Sequence, residues 1–134
     1  MAEKYIVCSG KGGSGKSTVT VGLAAALASA GKRVLCADAD ISVRSLDLLL
    51  ETGEDILFNW YDAAKGNCKK KDAVYDTLYK GVSLLPAPKS TEELTYDEFY
   101  ELILSFESSY DYILFDAENC GTAFDFAAKI CDKA

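Results

Sequence analysis

The residues with the most chemical content are Gly10-Lys11-Gly12-Gly13-Ser14-Gly15-Lys16-Ser17, flanked by the apolar run Tyr5-Ile6-Val7-Cys8 and a helix-like stretch from Thr18 to Ala30. A glycine, four residues, then Gly15-Lys16-Ser17 fits the P-loop pattern. Glycines let the backbone curl so that consecutive N–H groups point at a polyphosphate with no Cβ in the way. A lysine in the position of Lys16 reaches the β- and γ-phosphates, a hydroxyl in the position of Ser17 ligates Mg²⁺, and the following helix N-terminus adds partial positive charge. Gly10, Gly12 and Gly15 also spell G-x-G-x-x-G, with Asp38 at the end of a second apolar run, as in a dinucleotide site. That site has no use for Lys16-Ser17 directly after the last glycine, and a structural glycine turn is the remaining alternative. The stretch is read as a phosphate cradle.

Three aspartates are candidates for the chemistry beside it. Asp38 and Asp40 follow Val34-Leu35-Cys36-Ala37, and Asp116 follows Tyr112-Ile113-Leu114-Phe115. Carboxylates at the C-terminal ends of buried strands lie where open α/β sheets bind ligands. A hard cation and an attacking water both require oxygen partners there. A carboxylate in the position of Asp116 contacts the P-loop Mg²⁺ or orients a water on it. The alternative for each is an ordinary capping or loop aspartate.

The elements that must position these groups are readable in order. Tyr5–Cys8 is a strand apolar without alternation, as a parallel strand covered on both faces should be. A first helix is expected from about Ser17 to Ala30, with Val19, Leu23, Ala26, Leu27 and Ala30 on its core face and Gly31 capping it. Val34–Ala37 is a second strand. Leu46–Leu50 suggests one apolar helical turn, and Ile56, Leu57, Trp60, Tyr61 and Ala64 a short helix broken at Gly66-Asn67. Residues 72–79 fit either a helix or irregular structure. Val82–Leu85 is a third strand, ended by Pro86 and Pro88. Thr95 and Glu98 form a capping box and Leu94 and Phe99 a hydrophobic staple for the helix that follows, with Phe99, Leu102, Ile103 and Phe106 as its apolar stripe. Tyr112–Phe115 is a fourth strand, and Phe124–Lys133 a last short helix. The alternation predicts an α/β fold with a parallel sheet, as one nucleotide-binding domain over residues 1–134.

Composition narrows the partners. The chain has 134 residues, 49% apolar and 26% charged, with a net charge of −7 that argues against broad nucleic-acid binding. Lys69-Lys70-Lys71 reads as a solvated turn. No apolar run approaches a membrane span, and Met1-Ala2-Glu3-Lys4 leads straight into a strand, so no signal peptide is expected. Five cysteines without a C-x-x-C pair, two of them in expected strands (Cys8 and Cys36), indicate a reduced, cytoplasmic protein. With no histidine, imidazole chemistry is excluded.

Lys11-Gly12-Gly13-Ser14-Gly15-Lys16-Ser17-Thr18 resembles the deviant Walker A motif of the MinD/ParA class of ATPases, which carries a second, early lysine. Asp38-Ala39-Asp40-Ile41 with Arg44 and Leu46-Asp47-Leu48-Leu49, then Leu84-Leu85-Pro86-Ala87 and Tyr110–Asp116, continue the resemblance through nearly the whole chain. It implies a three-layer P-loop NTPase fold, here truncated, that binds ATP and Mg²⁺ and forms a homodimer around two nucleotides. It implies that Lys11 contacts the nucleotide of the partner subunit, that Gly12, Gly13, Ser14, Gly15, Lys16, Ser17 and Thr18 hold the phosphates, and that Ser17, Asp38 and Asp116 serve the metal. It makes Lys11, Lys16 and Asp40 the catalytic set, Asp40 placing the attacking water. It further implies a protein activator, a role in division-site placement or, as in ParA-like relatives, cargo positioning, and contact with membrane or DNA only through parts absent from this sequence. Two features depart from the pattern. After Asp116 the family usually reads small residue, proline, alanine, glycine, whereas this chain has Ala117-Glu118-Asn119-Cys120-Gly121, which opens a third reading: a nucleotide-binding module without hydrolysis. The chain is also considerably shorter than its relatives. Related iron proteins hold a cluster through a cysteine after this strand, but Cys120 has no second ligand in register and reads as a loop cysteine.

Overall fold

Continuous apolar segments too short for helices become strands when both faces are covered, and Val34–Asp38 shows this: every residue of it is buried. The computed structural model describes residues 2–9, 16–39, 56–88, 91–118 and 122–131. Within them the strands are β1 (Glu3–Ser9), β2 (Val34–Asp38), β3 (Tyr75–Asp76), β4 (Val82–Leu85) and β5 (Tyr112–Glu118). The helices are α1 (Lys16–Ser29), α2 (Trp60–Ala64), α3 (Tyr96–Leu104) and α4 (Thr122–Ile130), with a 3₁₀ turn at Lys70–Ala73. The sheet order is β1-β5-β2-β4-β3. The β1–β5, β5–β2 and β2–β4 pairs are parallel, and only β3 runs antiparallel, against β4.

Helices cover both faces. On one, α2, α3 and α4 enclose a core that includes Trp60, Phe99, Phe115 and Phe126. On the other, α1 lays Val21 and Ala24 over Val34, Cys36, Val82, Leu84 and Leu114. The parity of β2 and β5 follows: Leu35, Ala37, Ile113 and Phe115 face the aromatic layer, Cys36 and Leu114 face α1.

Most expected elements are present. The β4 strand has the predicted bounds, α3 carries the Thr95/Glu98 capping box in both directions, and Lys69, Lys70 and Lys71 are exposed. Gly31 has φ +86°, its N–H bonds Ala28 O and that of Lys32 bonds Leu27 O, the double closure that ends helices in a left-handed residue. Residues 72–79 prove to hold the end of the 3₁₀ turn and the two-residue β3. The expected core face of α1 is corrected. Val19, Leu23, Ala26 and Ala30 are exposed, and Thr20, Val21 and Ala24 are buried instead. The helix is apolar nearly all round, so its hydrophobic pattern does not fix which side meets the sheet. The apolar turn expected at Leu46–Leu50 lies outside the described residues.

Candidate functional site

The C-terminal ends of β1, β2 and β5 lie together. Strand β1 ends at Ser9 and α1 opens at Lys16, so residues 10–15 join a strand to a helix N-terminus at this edge of the sheet. Of the expected phosphate-binding residues, Gly12, Gly13, Ser14 and Gly15 lie outside the described residues, as do Lys11 and Asp40. For Lys16, Ser17 and Thr18 only the backbone is described, in the first turn of α1. N–H groups of a first helical turn have no partners within the helix, and they favour an anion.

The two remaining candidates are in place. Asp38 ends β2, Asp116 lies in β5, and the two are directly paired in register. Neighbouring strands are about 4.8 Å apart. Both aspartates share the parity of Cys36 and Leu114, which puts them on the α1 side, directly beside the helix that follows the glycine-rich stretch. Both are buried, with 2% of Asp38 and none of Asp116 exposed. The strand β5 does not stop at Asp116, as the sequence suggested, but continues to Glu118.

Three contacts fix this arrangement. Thr20 Oγ1 donates to Asp116 Oδ1 at 2.9 Å, tying α1 to β5 across the buried interface. The Ala39 N–H donates to Asp116 O at 2.8 Å, holding the ends of β2 and β5 together. The Trp60 indole N–H donates to the Asp38 carbonyl at 2.8 Å, so α2 anchors the end of β2 from the opposite face. Buried carboxylates also mark their neighbour. Burial, and then the charges of Asp116 and Asp38, push the Cys36 thiol up to about 12.

The donor set suits a hard divalent cation. Magnesium is held by one or two carboxylates, a hydroxyl, substrate phosphates and water rather than by a dense protein cage. Two carboxylates on one side of adjacent strands, beside a helix N-terminus opened by Lys16-Ser17, meet that description. Sequence reasoning missed Thr20 and Trp60. Thr20 could have been found: it lies three positions after Ser17, on the same helical side, in an otherwise apolar helix. Trp60 acts through its ring N–H on a backbone atom distant in sequence, for which no local pattern exists.

The chain matches the model of the CobQ/CobB/MinD/ParA nucleotide binding domain over residues 5–124. The septum site-determining protein MinD of Helicobacter pylori is 38% identical over 138 residues, covering all of this chain and 52% of that protein. Among solved structures, the MinC:MinD cell division protein complex of Aquifex aeolicus superposes with a TM-score of 0.85 at 33% identity, over 99% of this chain and 55% of that one. MinD of Pyrococcus horikoshii complexed with Mg-ADP gives a TM-score of 0.75 at 31% identity, over 96% and 54% respectively. The chain thus spans about half the length of the relatives it matches. No helix among the described residues is long and apolar enough to cross a membrane.

Proposed function

Because this chain belongs to the CobQ/CobB/MinD/ParA nucleotide-binding domain family, an ATPase-type family, we propose that it binds Mg²⁺-ATP and is the nucleotide-binding part of a MinD-type switch, which hydrolyses ATP in a nucleotide-bridged homodimer. The observation that carries this reading is the in-register pair Asp38 and Asp116, buried on the α1 side at the strand ends where residues 10–15 connect β1 to α1. In this reading the backbone of residues 12–18 and the Lys16 ammonium hold the phosphates. Ser17, Asp38 and Asp116 serve the metal, which when bound neutralises phosphate charge. Asp40 positions a water, and Lys11 reaches the nucleotide of the partner subunit, so that phosphate charge is neutralised only after assembly. The hydrogen bond that Thr20 Oγ1 donates to Asp116 Oδ1 keeps that carboxylate oriented. A place in division-site selection is inferred from the relatives' names.

A second reading, binding without hydrolysis, is favoured by Glu118. It ends β5, paired in register with Ser9 of β1, and is a charged residue where the family usually reads small residue, proline, alanine, glycine. One set of titrations tests both. Calorimetry with Mg²⁺-ATP should show Lys16→Ala weakening binding by about 2–4 kcal/mol, and Lys11→Ala far less in dilute monomer. Equal loss in the two variants sinks the proposed division of labour. Phosphate release that stays at background in the unsubstituted chain, with binding intact, selects the second reading.

A further inference from the structure

Strand β2 outlasts one of its two neighbours. Its ladder with β4 ends at Ala37 opposite Leu85, just before Pro86, whereas its ladder with β5 runs on to Asp38 opposite Asp116. The Val34 N–H bonds Gly81 O on the β4 side, so counting in twos puts the backbone groups of Cys36 and Asp38 on that side too. The Ala39 N–H, one position on, bonds Asp116 O on the β5 side. Asp38 O therefore faces the place where a longer β4 would have supplied the next amide. Trp60 supplies a donor instead. Its ring N–H donates to Asp38 O at 2.8 Å, and its backbone N–H donates to Pro86 O at 3.1 Å. One residue closes the ends of both strands.

The peptide group after Asp38 is thus held at both of its polar atoms, the C=O by Trp60 and the N–H by β5. Its plane fixes the backbone angle of Asp38, and with it the direction in which that residue carries its carboxylate. Trp60 has little freedom of its own: it is 1% exposed, and its ring meets that of Phe99 edge to face at 5.2 Å. The approach to α2 is fixed as well. The N–H groups of Leu57 and Phe58 donate to the Tyr75 hydroxyl at 2.9 and 3.0 Å, tying this stretch to β3. Any buried indole N–H needs an acceptor. Here the acceptor belongs to the buried aspartate paired in register with Asp116, and that choice gives the contact a use beyond satisfying the ring.

We propose that Trp60 is a positioning residue for Asp38: through its ring N–H it holds that carboxylate beside Asp116, and so sets how much Mg²⁺ strengthens nucleotide binding. This rests on the reading of Asp38 as a residue that serves the metal. Groups that hold a metal ligand in place from behind commonly govern metal affinity nearly as strongly as the ligand does.

Trp60 is the chain's one tryptophan. Biosynthetic replacement by 3-benzothienylalanine, with sulfur in place of the ring N–H, is therefore specific to it, and Trp60→Phe is the genetic counterpart. Without nucleotide or metal, amide exchange at Ala39 should quicken by about ten-fold in both, beyond any change at Leu114. ATP affinity is then measured in EDTA and in Mg²⁺. The tightening brought by Mg²⁺ should shrink by about ten-fold or more, with affinity in EDTA unchanged. Phe106→Leu, which loosens the same layer beside Tyr110 at the other end of β5, should lower stability and leave both readouts in place. Readouts that move equally with Phe106→Leu follow stability alone and overturn the proposal. So does an equal loss of ATP affinity with and without the metal. If Mg²⁺ adds nothing to ATP binding in the unsubstituted chain, the metal reading of Asp38 falls, and this inference with it. If Mg²⁺ tightens binding as much in both Trp60 variants as in the unsubstituted chain, this inference alone falls.

Discussion

The two faces of the sheet are built from different materials. Under α2, α3 and α4 the packing is aromatic: the Trp60 and Phe99 rings lie 5.2 Å apart edge to face, and Phe99 also meets Phe126 at 5.6 Å and Phe115 at 6.0 Å. Under α1 the buried residues are small and aliphatic, with a stacked Tyr5–Tyr112 pair only partly buried against them, and they share their space with two buried aspartates and a thiol. Aromatic side chains bury the most area and add ring–ring attraction, so one face supplies most of the stability. The other face can then carry groups that contribute little to folding or oppose it. The difference is open to direct measurement. Phe99→Ala should cost about 3–5 kcal/mol in denaturant unfolding, and Val21→Ala about 1–2 kcal/mol. Comparable losses at the two positions would break the comparison.

The α1 face has its own signature in alkali. The Cys36 thiol is pushed up to about 12 from an ordinary 9.0, by burial first and by the charges of Asp116 and Asp38 after it. Its proton is retained on folding, so its contribution is fully present below pH 9 and is lost as pH rises towards 12. Each unit in that window corresponds to about 1.4 kcal/mol. Between pH 9 and 10.5 the chain should therefore lose about 1–2 kcal/mol more than its Cys36→Ala variant, measured as the difference between their alkaline unfolding curves. Parallel curves would mean that the thiol ionises freely and that this face is wetter than the burial of Cys36 indicates.

The same contrast explains what was legible in the sequence. On the aromatic face local signals agree with the tertiary outcome. Thr95 and Glu98 announce the start of α3, and Phe99, Leu102 and Ile103 fall on a single stripe that is buried. On the other face α1 could be placed along the chain but not rotated, because apolar residues surround it. Its buried side includes a threonine chosen for a partner 96 positions away. Asp38 and Asp116 were legible as strand-end carboxylates, since the apolar runs before them set their edge of the sheet. Their pairing in register was not, because it depends on β5 inserting between β1 and β2. The two-residue β3 was too short to leave a period.

The smallest expected effect lies where the aromatic face is held at its rim. Thr95 caps α3, the helix that delivers Phe99, and its hydroxyl accepts from the Glu98 N–H at 3.1 Å while Glu98 Oε1 accepts from the Thr95 N–H at 2.9 Å. Lys65, which follows α2, reaches Glu98 at 3.1 Å and the Glu93 carbonyl at 2.7 Å, so the same carboxylate links two helices of this face. These partners, the Thr95 backbone N–H first and Lys65 next, hold Glu98 below the usual carboxylate range. A depressed carboxylate stabilises the fold above its ordinary pKa, and that contribution fades as pH falls through the lowered value. Thr95→Ala should cost about 1 kcal/mol at neutral pH. Glu98→Gln, which keeps a capping side chain but has no charge to lose, should be milder at pH 7 and should flatten the acid limb below about pH 4.5. Loss of the cap in the first variant with an unaltered acid limb in the second would show that α2 and α3 are joined by ring packing alone. The polar rim would then serve the aromatic face only as the cap of α3.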